Sequence, residues 1–170
     1  ANRSVGRANQ QWVLLSAPTP GQPNGPLAAL DPGNGLRLNE WLAGGGGTND
    51  FIELYNPAAL PVSLERWVLT DDPSISGATN NRLPSLTFID AGAFARFHTD
   101  GAQRRGPEHT LFQLDRLGET IRLLNPSSQI IDTVDFVVQL DGVSEGRYPD
   151  GMLQIVRFPG SPTPAAPNSI

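Results

Sequence analysis

Asp50-Phe51-Ile52-Glu53-Leu54-Tyr55-Asn56-Pro57 decides how the rest of the chain is read. Ile52 and Leu54 alternate against Glu53, and Pro57 closes the run, as in a short strand with one face turned to a core. Working outward, Trp67-Val68-Leu69-Thr70 stops at Asp71-Asp72, and Ile121 and Leu123 alternate against Arg122 within Thr120–Leu124. Comparable runs occupy Leu36–Leu42, Leu86–Ile89, Phe94–His98, Ile131–Val138 and Leu153–Phe158, nearly all separated by turn-forming residues. No stretch of twelve or more residues keeps apolar positions at helical spacing without a Gly, Pro or Asx break. Helix is therefore a minor component, and many short runs between turns predict an all-β sandwich or barrel.

The 170 residues suit one domain with arms rather than two large domains. Gly 18 and Pro 16 make up a fifth of the chain, yet 38% hydrophobic and 17% charged residues leave enough apolar material for a core. With Cys 0 and His 2, disulfides, thiolate zinc sites and cysteine nucleophiles are excluded, and a metal would need mostly oxygen ligands. All 12 basic residues are Arg, and the net charge of −5 opposes non-specific attraction to a nucleic-acid backbone. No apolar run approaches the ~20 residues needed to cross a bilayer, and Ala1–Gln10 carries no signal-peptide pattern.

An internal duplication organises the chain. Pro18-Thr19-Pro20-Gly21-Gln22-Pro23-Asn24 returns as Pro162-Thr163-Pro164-Ala165-Ala166-Pro167-Asn168, matching at five of seven positions. Upstream, Ser4-Val5-Gly6-Arg7 returns as Ser144-Glu145-Gly146-Arg147, with an apolar strand between the signatures in each case, Trp12–Leu15 and Leu153–Val156. The expectation is a tandem array: residues 1–24 as the terminal strand and exit loop of a truncated preceding repeat, 25–35 as a linker, and 36–170 as one β-sandwich domain. Trp12–Leu15, lacking its own domain, is expected to be poorly ordered or to pair with an edge of another molecule, which allows a strand-exchanged homodimer through residues 1–24.

Several pieces of residues 36–168 carry a further likeness. They include Leu38-Asn39-Glu40, Asp50 to Asn56, Leu64 to Trp67 running into Val68-Leu69-Thr70-Asp71-Asp72, and Ile89-Asp90-Ala91-Gly92. His109-Thr110 with Phe112 and Leu114, Gly118-Glu119-Thr120-Ile121, Asp132 with Val134 and Phe136, Ser144 to Gly151, Thr163-Pro164 and Pro167-Asn168 follow in order. Together they resemble the lamin-tail domain, in the bacterial branch found in secreted multi-module proteins. Two positions depart from that pattern: Glu65-Arg66 stands where the family turns through a Gly before its Trp, and Ala165-Ala166 replaces the Gly of the exit motif. The resemblance implies an immunoglobulin-like β-sandwich of two antiparallel sheets, with a binding role and no catalytic residues to carry over.

Trp67, sharing a strand face with Leu69, reads as core. Asp132 falls in register with Val134 and Phe136, so an inward carboxylate needs a partner; Arg147 is the fork-shaped donor, predicted to pair with Asp132, Glu53 or Glu119 as a latch. Gly44–Gly47 lacks the Lys and the helix of a phosphate-binding loop. His98 and His109 are the only candidate general bases, and no Gly-x-Ser-x-Gly elbow accompanies them. Asn49, Asp50, Asp71, Asp72, Asp141, Glu145 and Asp150 offer oxygen ligands to calcium but form no twelve-residue calcium loop. Arg82, Arg96, Arg104, Arg105 and Arg116 read as a solvated face, without interleaved aromatics for base stacking.

The expected function is a non-catalytic interaction or spacer module within a larger secreted or cell-surface bacterial protein. It would act through protein contacts or neighbouring repeats, with sheet edges as its contact surface and calcium-tuned adhesion as a variant. No catalytic, cofactor-binding or metal residues are assigned. The competing expectation is an accessory domain that binds nucleic acid or a phosphorylated substrate for an enzyme elsewhere in the parent chain, and behind it a hydrolase built on His98 or His109.

Overall fold

The computed structural model describes residues 2–44, 50–74, 80–160 and 162–170. Most of the Gly44–Gly47 motif, and Asn49 among the oxygen ligands offered to calcium, lie outside them. Twelve strands form among the described residues: β1 (Ser4–Ala8), β2 (Gln11–Leu15), β3 (Arg37–Leu42), β4 (Phe51–Tyr55), β5 (Val62–Ser63), β6 (Val68–Thr70), β7 (Phe88–Ile89), β8 (Phe94–His98), β9 (Gly118–Leu124), β10 (Ile130–Val137), β11 (Ser144–Arg147) and β12 (Ile155–Phe158). No helix among them is long and apolar enough to cross a membrane.

The strands build an immunoglobulin-like β-sandwich. One sheet has five strands in the order β12-β11-β3-β4-β8, the other three in the order β10-β9-β6, and every pairing is antiparallel. Leu38, Trp41, Ile52 and Leu54 from the first sheet meet Leu69, Ile121, Leu123 and Val134 from the second in one apolar cluster. Trp41 and Phe136 face each other across it with ring centroids 6.5 Å apart. Trp67 is buried in the same cluster, as its strand position predicted, and it rests on Gly33, whose φ is +84°. A Cβ at Gly33 would stand 2.5 Å from the Trp67 ring, so the segment before β3 is seated against the body by a residue without a side chain.

Leu38 and Trp41 both point into the core although they are three residues apart. A register shift between Leu38 and Glu40 explains this: the extra residue of a β-bulge puts Asn39 and Glu40 together on the opposite face. That face is where the first sheet departs from the simple alternation. Glu53 alternates with the core-facing Ile52 and Leu54, yet β4 is covered on both sides and Glu53 is fully buried. The cover is the exit segment after β12, whose Thr163 and Ala165 backbone N–H groups donate to Glu40 and Glu53.

Three other differences concern strands. Ser144–Arg147 is a strand, inserted between β12 and β3, although it contains no apolar residue to announce it. The following strand begins at Ile155 rather than Leu153, because Met152 is held in the turn by its carbonyl, which accepts from Arg147 Nη1 at 2.8 Å. Trp12–Leu15 lies within β2, which pairs inside the chain with β1 through a two-residue loop, Asn9-Gln10, both at positive φ, the geometry that closes tight hairpins. The far side of β2 is met by the segment before β3, through Ala28 N–H to Leu14 O at 2.9 Å and Ser16 N–H to Pro26 O at 3.0 Å.

Candidate functional site

The bulge at Asn39 concentrates polar side chains on the outer face of the five-stranded sheet, and the exit segment buries them. Glu40 accepts from the Ser144 hydroxyl at 2.5 Å and from Thr163 N–H at 3.0 Å. Glu53 accepts from Asn39 Nδ2 at 3.2 Å and from Ala165 N–H at 2.5 Å. Asn168 Nδ2 donates to the carbonyls of Arg147 and Asn39, at 2.8 and 3.2 Å. Asn39 Oδ1 takes Gly151 N–H at 2.9 Å, and Asp150 takes Asn168 N–H at 3.0 Å. Burial, with the nearby Glu40 and Asp150 charges, outweighs these hydrogen bonds and pushes Glu53 up to about 7. The cluster is saturated by its own chain and works as a fastening for the exit segment.

Arg147 forms a second fastening on the opposite face of β11. Of the three acids offered to it by the sequence, Asp132 is the partner: Nη2 lies 3.0 Å from each carboxylate oxygen. Its Nε donates to Leu38 O at 2.8 Å, while Leu38 N–H donates to Asp132 Oδ2 at 2.9 Å. The ion pair is almost dry, with side chains 4% and 12% exposed, and it joins β11, β3 and β10. Glu119 is turned elsewhere, accepting from Asp115 N–H at 2.7 Å; burial raises it to about 7.

At one end of the sandwich lies an open groove of about 1050 Å³. Phe51, Leu114 and Pro164 form apolar walls, with Asp50, Arg96 and His98 between them. Arg116 and Asp141 pair across its rim at 2.8 Å. His98 stacks on His109 with centroids 4.9 Å apart, and burial, with Arg96 and His109 adding to it, lowers the His98 pKa. His109 Nδ1 lies 2.9 Å from Asp100 Oδ2. Although burial pulls the other way, hydrogen bonds from Ala102 and His109 hold Asp100 below the usual carboxylate range. An aspartate orienting an imidazole is one part of a hydrolytic triad, but among the described residues neither imidazole is hydrogen-bonded to a hydroxyl.

The remaining acids of the sequence reading are dispersed. Glu145 pairs with Arg157 at 2.8 Å, Asp72 caps Ser74, Asp150 serves the exit fastening, and among the described residues no three potential ligands gather into a metal site. The arginines likewise separate, Arg105 going to Asp100 and Arg116 to Asp141. Sequence reasoning missed Asn39, Asn168 and Ser144 as a unit; the reappearance of Ser4 and Asn24 at the matching duplicated positions was the signal that could have found them.

The sequence model of the Lamin Tail Domain family matches residues 31–137. The chain belongs to the Lamin Tail Domain family. The match covers β3 to β10 and ends before β11 and β12, although β11 pairs directly onto β3 and β12 onto β11. No curated protein matches the chain. Both departures from the lamin-tail pattern have a physical signature, for Arg66 and Ala165 each hold φ at +64°, a conformation that suits glycine. Arg66 N–H still reaches Leu83 O at 3.0 Å, and Ala165 N–H still reaches Glu53, so the turns survive the substitution with their hydrogen bonds intact.

Proposed function

We propose that this lamin-tail sandwich is a non-catalytic interaction module of a larger secreted or cell-surface bacterial protein, repeated along the parent chain and working through its sheet edges. The observation that carries the reading is that the buried polar cluster around Glu40, Glu53, Asn39 and Asn168 is spent on internal hydrogen bonds. The sheet edges offer a partner unpaired backbone. A repeated plan is supported by the register of the two hairpins: Ser4, Gly6 and Arg7 oppose Leu15, Val13 and Trp12, as Ser144, Gly146 and Arg147 oppose Phe158, Val156 and Ile155. Exchange of residues 1–24 between copies belongs to the same proposal.

A titration with labelled duplex DNA tests the reading against the accessory nucleic-acid role. With a net charge of −5, no saturable binding is expected at ~0.15 M salt. Binding that weakens steeply as salt rises would replace the interaction module with the accessory domain.

A further inference from the structure

The two hairpins of the chain are alike in detail but not in company. Asn24 Nδ2 donates to Arg7 O at 2.9 Å, as Asn168 Nδ2 donates to Arg147 O at 2.8 Å. Gln22 N–H returns to Thr19 O at 3.1 Å, as Ala166 N–H returns to Thr163 O at 3.0 Å. A Cβ at either Gly6 or Gly146 would come within 3.0 Å of the asparagine amide. At Gly146 the same Cβ would press into the Asn39 carbonyl and Glu40 Cα, because β3 lies along the outer edge of β11 with Gly146 opposite Glu40 and Glu145 opposite Trp41.

Among the described residues no strand occupies that place beside Gly6; a Cβ there would meet the Leu15 side chain instead, at 2.5 Å from its Cδ1. β1 and β2 form a sheet of their own, and the side chains that β3 and β10 would engage are idle or turned aside. Ser4 reaches Ala17 O at 3.4 Å, where Ser144 holds Glu40. Arg7 is exposed and lies over the Trp12 ring at 5.4 Å, where Arg147 holds an aspartate. Val5 and Trp12 stay 43% and 56% exposed on that side.

We infer that the outer edge of β1 receives the first strand of a second lamin-tail body, a Leu-Asn-Glu strand whose glutamate sits opposite Gly6 and accepts from Ser4 and Thr19. The inference rests on the interaction-module reading above and gives that module its partner. Edge pairing supplies the affinity, Gly6 admits the partner backbone once the flexible end of Leu15 swings aside, and Arg7 supplies a fork for an inward acid of the docking body.

The chain has no cysteine, so disulfide trapping can read the register directly. The full chain carrying Val5→Cys is equilibrated in a glutathione buffer with a peptide of residues 35–43 carrying Trp41→Cys. Val5 corresponds to Glu145, so the two thiols meet on one face of the pairing. A second peptide carries Leu42→Cys instead, which the strand period turns to the other face, and a third combines Trp41→Cys with Glu40→Ala. The in-register peptide is expected to be captured about fivefold more than either control. Equal capture of all three, or capture of none, overturns the inference. Either result leaves the module reading standing, since that reading falls on the DNA titration.

Discussion

Ala165 is a side chain in a glycine's place. Its φ of +64° costs a β-carbon about 1 kcal/mol, and its N–H bond to Glu53 depends only on the backbone. Ala165→Gly should therefore raise stability by about 0.5–1 kcal/mol, part of the relief being offset by the freer unfolded chain; urea denaturation measures it, and a loss of stability would contradict the strain. Arg147→Ala acts in the opposite sense. It leaves Asp132 buried without its cation and Leu38 O without a donor, so a loss of about 3–5 kcal/mol is expected, and Arg147→Lys should restore only part because an ammonium cannot span both contacts. A melting temperature that barely moved would refute the latch. Glu53 carries a pH signature. Raised to about 7 from an unfolded value near 4.5, the folded state holds more protons over that window, so stability present at pH 4.5 declines as pH rises to 7. Glu119 slopes the same way and His98, with its lowered pKa, the opposite way, so the difference between the native chain and Glu53→Gln isolates the Glu53 contribution. Glu53→Gln should flatten the decline by on the order of 2 kcal/mol, and parallel pH curves for the two proteins would remove Glu53 as its source.

β11 shows what a pattern of apolar residues can and cannot reveal. β4 and β9 were legible because Ile52, Leu54, Ile121 and Leu123 enter the core at the strand period. Ser144-Glu145-Gly146-Arg147 is as deeply buried as either, yet offers no hydrophobic residue, because its burial is compensated by Glu40, Arg157, Asn168 and Asp132. Those partners are between 12 and 104 residues away along the chain or on a bulge no local rule predicts, so the strand was hidden while the Arg147 latch, inferred from one inward acid, was not. The same logic hid the burial of Glu53, which depends on an exit segment more than a hundred residues downstream. Glycine is the sharpest probe of this strand. Gly146→Ala forces a methyl into the Asn39 carbonyl and Glu40 Cα, backbone that cannot swing aside, and should cost about 3 kcal/mol. Gly6→Ala meets the movable Leu15 Cδ1 at 2.5 Å in a separate two-stranded sheet, and should leave the melting of the sandwich within about 1 kcal/mol of the parent. Equal losses for the two substitutions would mean that the hairpin β1-β2 and the sandwich unfold as one unit.

Two hairpins of one design and one sandwich to receive them create a competition. The resident hairpin β11-β12 is joined to the body by the chain itself, so its effective concentration at the β3 edge exceeds that of any neighbour's β1-β2 at micromolar protein. The native chain is accordingly expected to sediment as a monomer under those conditions, with its β1 edge open. Gly146→Ala tilts the balance, because it obstructs the resident strand at β3 while residues 1–24 of another copy still present Gly6 to the same backbone. This variant should dimerise with rising concentration by exchanging hairpins, an isologous swap in which each copy lends residues 1–24 to the other. Sedimentation of Gly146→Ala beside Gly6→Ala/Gly146→Ala separates exchange from mere stickiness of a loosened sandwich. The double variant obstructs both hairpins and should return to monomer, whereas aggregation through exposed core would persist or worsen. A dimer that survives in the double variant would assign the contact to another surface, and a Gly146→Ala protein that stays monomeric at roughly a hundred times the parent's working concentration would show that the two hairpins are not interchangeable.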